Sequence, residues 1–353
     1  QLHDKKQLIE NLTEAGVAVF DNVGAARFVD PHAIVLGDGR RLRAERFVIC
    51  AGGHARPLDF PGSEHTLTHH DVWQMTDVPA SLAIVGAAAT GCQLATIFNA
   101  FGTDVTMLEL APQILGGEDQ TLATAVADGF RKRGIQIHTG ISGVQQVEKV
   151  DAGLRVHFGQ GQETATLDVE AVLLAVGWVG NIERLGLEAA GVSHNGRYIE
   201  TQDSMQTSVP HIFAAGDING RAMLVQSAAH EARTAAQNAV LGEDRSFSHQ
   251  ILPHGGFTDP EYGSVGLTEA QAQAMGLDYI AAVASFADLD RAVIDSRTEG
   301  LCKLLVSREN HRLLGAHVVG EQALEIVEIA AACIASGIPI TAVAELEIAY
   351  PTF

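Results

Sequence analysis

Residues 81–109 constrain the fold more than any other stretch, because they combine two apolar strands, a glycine-rich turn and a terminal carboxylate. The uninterrupted apolar run 82–85 predicts a buried parallel strand, and the sequence Gly-Ala-Ala-Ala-Thr-Gly follows it directly. Residues 92–101 keep an apolar face at helical spacing, which predicts a helix. A second predicted strand, residues 105–108, ends in Glu109.

This order of elements is typical of a dinucleotide site, in which the turn presents backbone N–H groups at a helix N-terminus to a diphosphate. Glu109 lies about 20 residues beyond the turn, where a carboxylate that binds a ribose 2′-hydroxyl is expected. Ala88 replaces the middle glycine, and its methyl group crowds the diphosphate slightly. The alternative is an ordinary strand–helix–strand unit whose glycines only permit close packing. The flanking strands and the placed carboxylate favour nucleotide binding.

The whole chain has 353 residues, of which 46% are hydrophobic, so two or three globular domains are expected. Its formal charge of −20 at pH 7 would repel nucleic acids and anionic membrane surfaces, and neither is predicted as a partner. No apolar run reaches the about 18 residues that a membrane helix needs.

The four cysteines, Cys50, Cys92, Cys302 and Cys333, lie far apart in the sequence. They have no metal-ligand spacing, so no metal site is predicted, and each is expected to be a small buried hydrophobe. Unpaired cysteines suit a reducing compartment, which predicts a cytoplasmic protein. The first residue is Gln1, so the native N-terminus is expected to lie upstream of it.

Three apolar segments end on glycine at the point where a parallel strand would finish: residues 46–53, 171–177 and 212–217. Because ligands bind beyond the carboxyl ends of strands in open α/β sheets, all three ends are expected to face a bound cofactor. Packing glycines alone would explain any one of the segments but explain the three together less readily.

The remaining pattern predicts further elements. Residues 5–15 are expected to form a helix and residues 16–20 a strand, followed by a small antiparallel meander or hairpin over residues 25–43. Two strands at residues 144–150 and 154–158 are predicted to form a hairpin. From Gly255 onward, strands and helices no longer alternate strictly, which indicates an α+β region.

The chain resembles the pyridine nucleotide-disulfide oxidoreductases, flavoproteins that include dihydrolipoamide dehydrogenase, mercuric reductase and soluble transhydrogenase. Five motifs in the family's order carry the resemblance. Residues 48–57 and 212–217 resemble its flavin segments, 86–91 its nicotinamide fingerprint, 175–181 its second nucleotide segment and 257–269 the start of its dimerisation domain.

The resemblance implies a mixed α/β fold with two Rossmann-like nucleotide-binding domains, for FAD and NAD(P), and a C-terminal α+β dimerisation domain. A homodimer is expected. The implied FAD-binding domain comprises residues 1–75 and 196–248, the NAD(P)-binding domain residues 76–195, and the dimerisation domain residues 249–353.

The departures from the family pattern are informative. Neither the FAD glycine fingerprint nor the C-x-x-x-x-C redox pair of the family occurs, and both are expected on a missing N-terminal part. Tyr350-Pro351-Thr352 stands where the family has His-Pro-Thr. Ala89 replaces a bulky residue that often gates the nicotinamide, and Gln93 takes the position of a glutamate.

The sequence therefore predicts an FAD-dependent oxidoreductase that transfers hydride from NAD(P)H, with NADH preferred, to a small acceptor that is quinone-like or a nucleotide. One alternative is a disulfide oxidoreductase of the dihydrolipoamide dehydrogenase or mercuric reductase type, and another is a non-catalytic redox sensor. Tyr350 is the predicted catalytic residue. The residues predicted to bind cofactors are Gly86, Ala87, Ala88, Ala89, Thr90, Gly91, Gln93, Glu109, Val144, Gly177, Ala51, Gly52, Gly216, Asp217, Leu224 and Val225.

Overall fold

The computed structural model describes the backbone of residues 2–353 and the side chains of residues 6–353, so Gln1 lies outside the described residues. The chain forms two compact units. The first contains the residues up to 54 together with 179–248, and the second contains residues 55–178 together with 249–353. This division reflects compactness, and the boundaries of the functional domains stay a prediction.

Ten α-helices form within the described residues. They are α1 Leu2–Glu14, α2 His69–Val72, α3 Ala89–Ala100, α4 Gln120–Lys132, α5 Leu187–Ala190, α6 Val225–Leu241, α7 Glu269–Ala274, α8 Asp290–Ile294, α9 Ala323–Ser336 and α10 Ile340–Ala344. None of the helices in this described part of the chain combines the length and the apolar character that a membrane crossing requires.

Twenty β-strands form in the same part of the chain. They are β1 Arg27–Asp30, β2 Ala33–Val35, β3 Arg41–Arg43, β4 Phe47–Ile49, β5 Gly53–Ala55, β6 Leu67–Thr68, β7 Ser81–Val85, β8 Asp104–Leu108, β9 Gln136–His138, β10 Ile141–Val150, β11 Gly153–Gln160, β12 Glu163–Val169, β13 Ala171–Leu174, β14 Trp178–Gly180, β15 Ile212–Ala214, β16 His254–Gly256, β17 Tyr262–Gly266, β18 Tyr279–Ser285, β19 Leu301–Ser307 and β20 Leu313–Val319.

The first unit contains the predicted meander, in which β1, β2 and β3 pair antiparallel. Strands β4 and β15 pair in parallel, with Phe47 opposite Ile212. The strand predicted at residues 16–20 is wrong. That segment pairs with no strand in the described structure and leaves Val17 and Phe20 exposed, because its apolar residues find no sheet to cover.

The second unit is built on a parallel sheet with the strand order β6-β13-β7-β8-β9. Strand β7 lies at its centre, and Leu82 and Ile84 on it are fully buried. Fully burying one such side chain contributes about 1.5–3 kcal/mol. Phe98 of α3 and Phe130 of α4 belong to the same core. The sheet therefore brings the carboxyl ends of β7, β8 and β13 to one edge.

The predicted hairpin is present as β10 and β11, but a third antiparallel strand, β12, joins it. The sequence reasoning missed β12 because its residues are mostly polar and exposed, with only Val169 buried. The prediction of strands relied on apolar residues at alternating positions.

The C-terminal region forms an antiparallel sheet with the order β16-β17-β20-β19-β18, against which helix α9 packs. Its core includes Val265, Phe286, Val318 and Val327. This arrangement of strands and helices confirms the expected α+β texture, and the mixed α/β fold class as a whole is confirmed.

Candidate functional site

The loop between β7 and α3 needs glycine at two positions. Gly86 has φ +98°, and a Cβ there would lie 2.5 Å from the carbonyl oxygen of Ala175. A Cβ on Gly91 would lie 2.0 Å from the carbonyl oxygen of Gly86. These contacts are shorter than any that side chains tolerate, so the two glycines allow the strand, the loop and the helix to pack closely.

The start of α3 presents backbone donors. Ala88 is its N-cap and makes no side-chain capping hydrogen bond. The first intrahelical bond runs from the Cys92 N–H to the Ala88 carbonyl at 3.0 Å, so the amides of Ala89, Thr90 and Gly91 precede the helical ladder. Ala88 and Ala89 are exposed. Backbone donors and the positive end of the helix dipole make this turn suitable for an anionic diphosphate.

Glu109 is held rigidly beside that loop. Its Oε2 accepts a hydrogen bond from the Ala87 N–H at 2.6 Å, and its Oε1 accepts one from the Ala111 N–H at 2.7 Å. The Glu109 N–H donates in turn to the His138 carbonyl at 2.8 Å. Each carboxylate oxygen keeps a further lone pair. The carboxylate is therefore preorganised to accept a hydrogen bond from a ribose hydroxyl.

A cavity of about 500 Å³ lies at the carboxyl edge of the parallel sheet. It brings together five residues predicted from the sequence to bind a cofactor: Gly86, Ala88, Glu109, Val144 and Gly177. Pockets of this size are typical of small-molecule and cofactor sites.

Other predicted residues do not line this cavity. Ala87 is fully buried beneath the loop, where its carbonyl accepts a hydrogen bond from the Leu115 N–H at 2.7 Å. Ala89, Thr90 and Gly91 form the first turn of α3. The Gln93 amide lies against Gly256, since a Cβ on Gly256 would come within 3.1 Å of the Gln93 Nε2.

The cavity also contains residues that are not among the individually predicted cofactor-binding residues. These are Arg56, Leu58, Asp59, Phe60, Val85, Leu110, Gly143, Ala175 and Val176. Arg56 is the one Lys or Arg among the described lining residues, and its backbone N–H donates to the Gly177 carbonyl at 2.9 Å. A cation at this place suits a diphosphate, because guanidinium groups bind such anions well. The position of Arg56 just after Gly52-Gly53 was the feature of the sequence that could have indicated a role in binding.

In the first unit, Ala51 and Gly52 follow β4 and meet Asn181. The Asn181 side-chain amide donates to the Ala51 carbonyl at 2.8 Å, and the Asn181 N–H donates to the Gly52 carbonyl at 3.0 Å. The Asn181 Oδ1 lies 2.7 Å from the His54 Nδ1. This network fixes the turn at the end of the strand.

Gly216 and Asp217 follow the neighbouring strand β15, so the two predicted turns lie side by side. A Cβ on Gly53 would come within 3.3 Å of the Asp217 Cβ and within 2.8 Å of the Val179 carbonyl oxygen. Burial raises the pKa of the Asp217 carboxyl, and the nearby charge of Glu231 raises it further. Asp217 is thus a partly buried acceptor at a site where only a small neighbour fits.

Glu231 of α6 holds the Gly216 turn, and sequence reasoning missed it. It is fully buried, and its Oε2 accepts hydrogen bonds from the Gly216 N–H at 2.7 Å and from the Asn219 amide at 2.8 Å. In the sequence, its place among the small residues of an Ala-rich helix was the feature that could have indicated a buried carboxylate. Leu224 and Val225 stand at the N-cap and first position of the same helix, and Val225 is 88% exposed.

Tyr350 lies in the C-terminal segment and is 77% exposed. Its hydroxyl hydrogen-bonds to Asp290, and this bond, together with the aspartate charge, raises the pKa of the phenol. The described cysteines are all free. Cys92 and Cys333 are buried as expected, whereas Cys302 is only partly buried and Cys50, which follows β4 at the start of the turn, is exposed.

The residues present fit the two cofactors that the motifs imply. For a nicotinamide dinucleotide, the loop leaves no room for side chains at Gly86 and Gly91 and places a fixed carboxylate on the same cavity. For a flavin, Asp217 offers a carboxylate beside two glycine turns. Both arrangements lie at the carboxyl ends of parallel strands.

Comparison with known proteins agrees with this geometry. Residues 2–232 match the family described as Pyridine nucleotide-disulphide oxidoreductase, and residues 252–353 match the dimerisation domain of that family. The dihydrolipoyl dehydrogenase of Geobacillus stearothermophilus is 34% identical over 335 residues, which cover 93% of this chain and 71% of that protein. The soluble pyridine nucleotide transhydrogenase of Escherichia coli is 33% identical over 314 residues, which cover 87% of this chain and 66% of that protein.

Among solved structures, the HOCl-induced flavoprotein disulfide reductase RclA from Escherichia coli has a similar fold. It aligns with a TM-score of 0.90 at 25% identity and covers 99% of this chain and 80% of that one. Together these matches show that the chain belongs to the pyridine nucleotide-disulphide oxidoreductase family, whose members are FAD- and NAD(P)H-dependent oxidoreductases.

Proposed function

We propose that the chain takes hydride from NADH and delivers the electrons through FAD to a small acceptor, either a quinone-like molecule or a second nucleotide. The observation that carries the nicotinamide half is the fixed Glu109 carboxylate, which shares one cavity with the Gly86 loop. When bound, the nicotinamide supplies the hydride and the flavin carries the two electrons onward. The protein contributes binding and orientation.

We propose specific roles for the predicted residues. The loop from Gly86 to Gly91 and Arg56 bind the diphosphate, Glu109 binds the adenosine ribose, and Val144 and Gly177 line the same cavity. On the flavin side, Ala51, Gly52, Gly216 and Asp217 form the two turns, while Leu224 and Val225 begin the adjoining helix. Gln93 supports α3 against Gly256.

Glu109 should make NADH the better substrate by about fivefold or more in kcat/KM. Its carboxylate is fixed by two backbone N–H groups, so it cannot swing away from a 2′-phosphate, and like-charge repulsion at this range costs about 1 kcal/mol or more. Steady-state kinetics with NADH and NADPH test this. Glu109→Gln should narrow the preference because it removes the charge.

The matched control is Asp104→Asn, which removes a carboxylate from the opposite end of the same strand. It should leave the preference unchanged. An equal or higher kcat/KM with NADPH for the unaltered protein would overturn the role given to Glu109.

The chemistry of Tyr350 helps to distinguish the candidate electron acceptors. Disulfide chemistry needs a group that accepts and returns a thiol proton near neutral pH, which an imidazole of pKa about 6.5 can do. A phenol of ordinary pKa about 10 is ionised to about one part in a thousand at pH 7, and Asp290 raises the pKa of Tyr350 further. A phenol can still donate a hydrogen bond to a quinone oxygen.

We therefore expect turnover of benzoquinone to exceed that of lipoamide or glutathione disulfide by about a hundredfold, the usual size of a general acid–base contribution. In the full-length protein, Tyr350→His should raise the disulfide rates and leave the quinone rate nearly unchanged, whereas Tyr350→Phe should not raise them. Disulfide turnover by the unaltered protein at a rate comparable to its quinone rate would contradict this proposal.

A disulfide acceptor is the second candidate, and the names of the relatives favour it, since they include a dihydrolipoyl dehydrogenase and a disulfide reductase. A transhydrogenase of nearly equal identity supports the nucleotide acceptor instead. The family membership therefore leaves the acceptor to be decided by residues such as Tyr350.

The matched dimerisation domain supports a homodimer. Large apolar side chains stay exposed on several elements of that region, including Val283 of β18, Ile294 of α8 and Ile329 of α9. These side chains are candidates for burial in the proposed dimer interface. We also propose a cytoplasmic location, which the free cysteines support. The assignment of residues 1–75 and 196–248 to the FAD-binding domain, 76–195 to the NAD(P)-binding domain and 249–353 to the dimerisation domain is proposed as well.

A further inference from the structure

Two aromatic side chains meet at the carboxyl edge of the parallel sheet. Trp178 follows β13 and Gly177, and His69 follows β6 at the start of α2. Their ring centroids are 3.8 Å apart with an interplanar angle of 30°. The Trp178 Nε1–H donates to the Thr90 Oγ1 at 3.4 Å, which ties the indole to the first turn of α3.

This aromatic pair is held in place from both sides. The Asp71 Oδ2 accepts hydrogen bonds from the Thr68 N–H at 2.7 Å and from the Thr68 hydroxyl at 2.8 Å, which fixes the turn that carries His69. Trp178 is half-buried, so its ring is neither free in solvent nor enclosed in the core. A planar group in such a position is preorganised to pack against a ligand.

The strand order sets where a dinucleotide would extend. Strand β7 is central, with β8 on one side and β13 on the other, and a dinucleotide crosses the sheet at such a switch point. Glu109 follows β8, so the adenosine half lies on that side of the loop. The nicotinamide half then extends toward β13 and β6, where Trp178 and His69 lie.

We propose that Trp178, backed by His69, is a positioning residue that packs against the nicotinamide ring of the bound dinucleotide. This inference rests on the proposed dinucleotide site. The indole supplies a flat apolar surface, and its polar N–H is already satisfied by Thr90. Ala88 and Ala89 on the adjoining loop carry only methyl groups, so they leave the ring contact to Trp178.

The test compares NAD⁺ with ADP-ribose, which has the same diphosphate and riboses but no nicotinamide ring. Dissociation constants are measured by calorimetry on the purified protein. Trp178→Ala should weaken NAD⁺ binding about tenfold, the range expected for one aromatic contact, and should change ADP-ribose binding by less than about twofold. Trp178→Phe should retain most of the NAD⁺ affinity.

Trp73 provides the matched control, because it is the only other tryptophan in the sequence and is 75% exposed. Trp73→Phe should bind both ligands normally. It also leaves Trp178 as the sole indole, whose fluorescence should be quenched when NADH binds.

Equal weakening of NAD⁺ and ADP-ribose by Trp178→Ala would show that Trp178 only supports the loop, and unchanged binding of both would show that it makes no ring contact. Either result overturns the inference while leaving the dinucleotide site intact. If the unaltered protein bound neither ligand, the proposed site itself would fail and the inference with it. Should Trp178→Ala not fold, the phenylalanine variant and the fluorescence measurement decide the matter.

Discussion

Replacing Lys303 with methionine should lower the free energy of unfolding by about 3 kcal/mol or more. The Lys303 side chain is 3% exposed, and its ammonium nitrogen lies 2.8 Å from the Oδ1 of Asp119, whose side chain is 1% exposed. It also donates to the Glu269 Oε2 at 2.6 Å and to the Thr121 hydroxyl at 3.1 Å. Removing one partner of a buried ion pair leaves an uncompensated charge, which costs about 3–5 kcal/mol.

Chemical denaturation of the variant and the unaltered protein measures this difference. The matched control is Asp168→Asn, which breaks the exposed pair with Arg155 and should cost less than about 1 kcal/mol. In a Lys303→Met and Asp119→Asn double variant, part of the loss should be recovered because the buried charge is gone. A loss no larger than that of the control would show that the ion pair does not stabilise this region.

The same cluster predicts a dependence of stability on pH. Burial raises the pKa of Asp119, but hydrogen bonds from Lys303 and the Glu269 N–H outweigh it, so the net pKa is lowered. A carboxyl whose pKa is lowered by folding contributes its full stabilisation at pH values above its unfolded-state pKa of about 4. This stabilisation is lost as the pH falls from that value through the lowered pKa of the folded state. The Lys303→Met variant should show a weaker loss of stability on acidification than the unaltered protein.

Gly86→Ala should reduce NAD⁺ affinity by about fivefold to a hundredfold. Its φ of +98° is unfavourable for alanine, and the new methyl group would meet the Ala175 carbonyl oxygen at 2.5 Å. Backbone must therefore move, and the strain of about 1–3 kcal/mol falls on the loop that binds the diphosphate. Calorimetry with NAD⁺ measures the affinity, and circular dichroism confirms that the variant folds.

Gly161→Ala is the control for this change. Gly161 has φ +65° in the turn between β11 and β12, and a Cβ added to it would meet no other atom within 4 Å. The substitution should therefore cost about 1–2 kcal/mol of stability through backbone strain and leave NAD⁺ affinity unchanged. Wild-type affinity in Gly86→Ala would show that this loop is not where the dinucleotide binds.

The sequence predicted the central strands β7 and β13 of the parallel sheet well, because each is a short apolar run that a glycine follows closely. Leu82, Ile84 and Leu173 are buried as those runs require, and Glu109 stands beside the loop as its spacing required. Strand β12 escaped prediction because polar residues give a sheet strand no apolar signal. The strand expected at residues 16–20 failed for the opposite reason, since apolar residues alone do not make a strand without a partner.

The candidate site was predicted less completely than the sheet. The glycine pattern identified Gly86 and Gly177, which line one cavity although they are distant in sequence. Arg56 and Glu231 were missed, because their roles depend on contacts between segments that no local spacing reveals. The same holds for the tilted ring contact between His69 and Trp178, which the strand order brings about.

The anaerobic reaction of the flavin-loaded protein with one equivalent of NADH tests the central claim most directly. We predict that the visible flavin absorbance is lost, that an equivalent of NADPH reacts more slowly, and that added benzoquinone restores the absorbance faster than glutathione disulfide does. Flavin that stays oxidised after NADH addition would contradict the proposed hydride transfer, and faster recovery with glutathione disulfide would contradict the proposed acceptor.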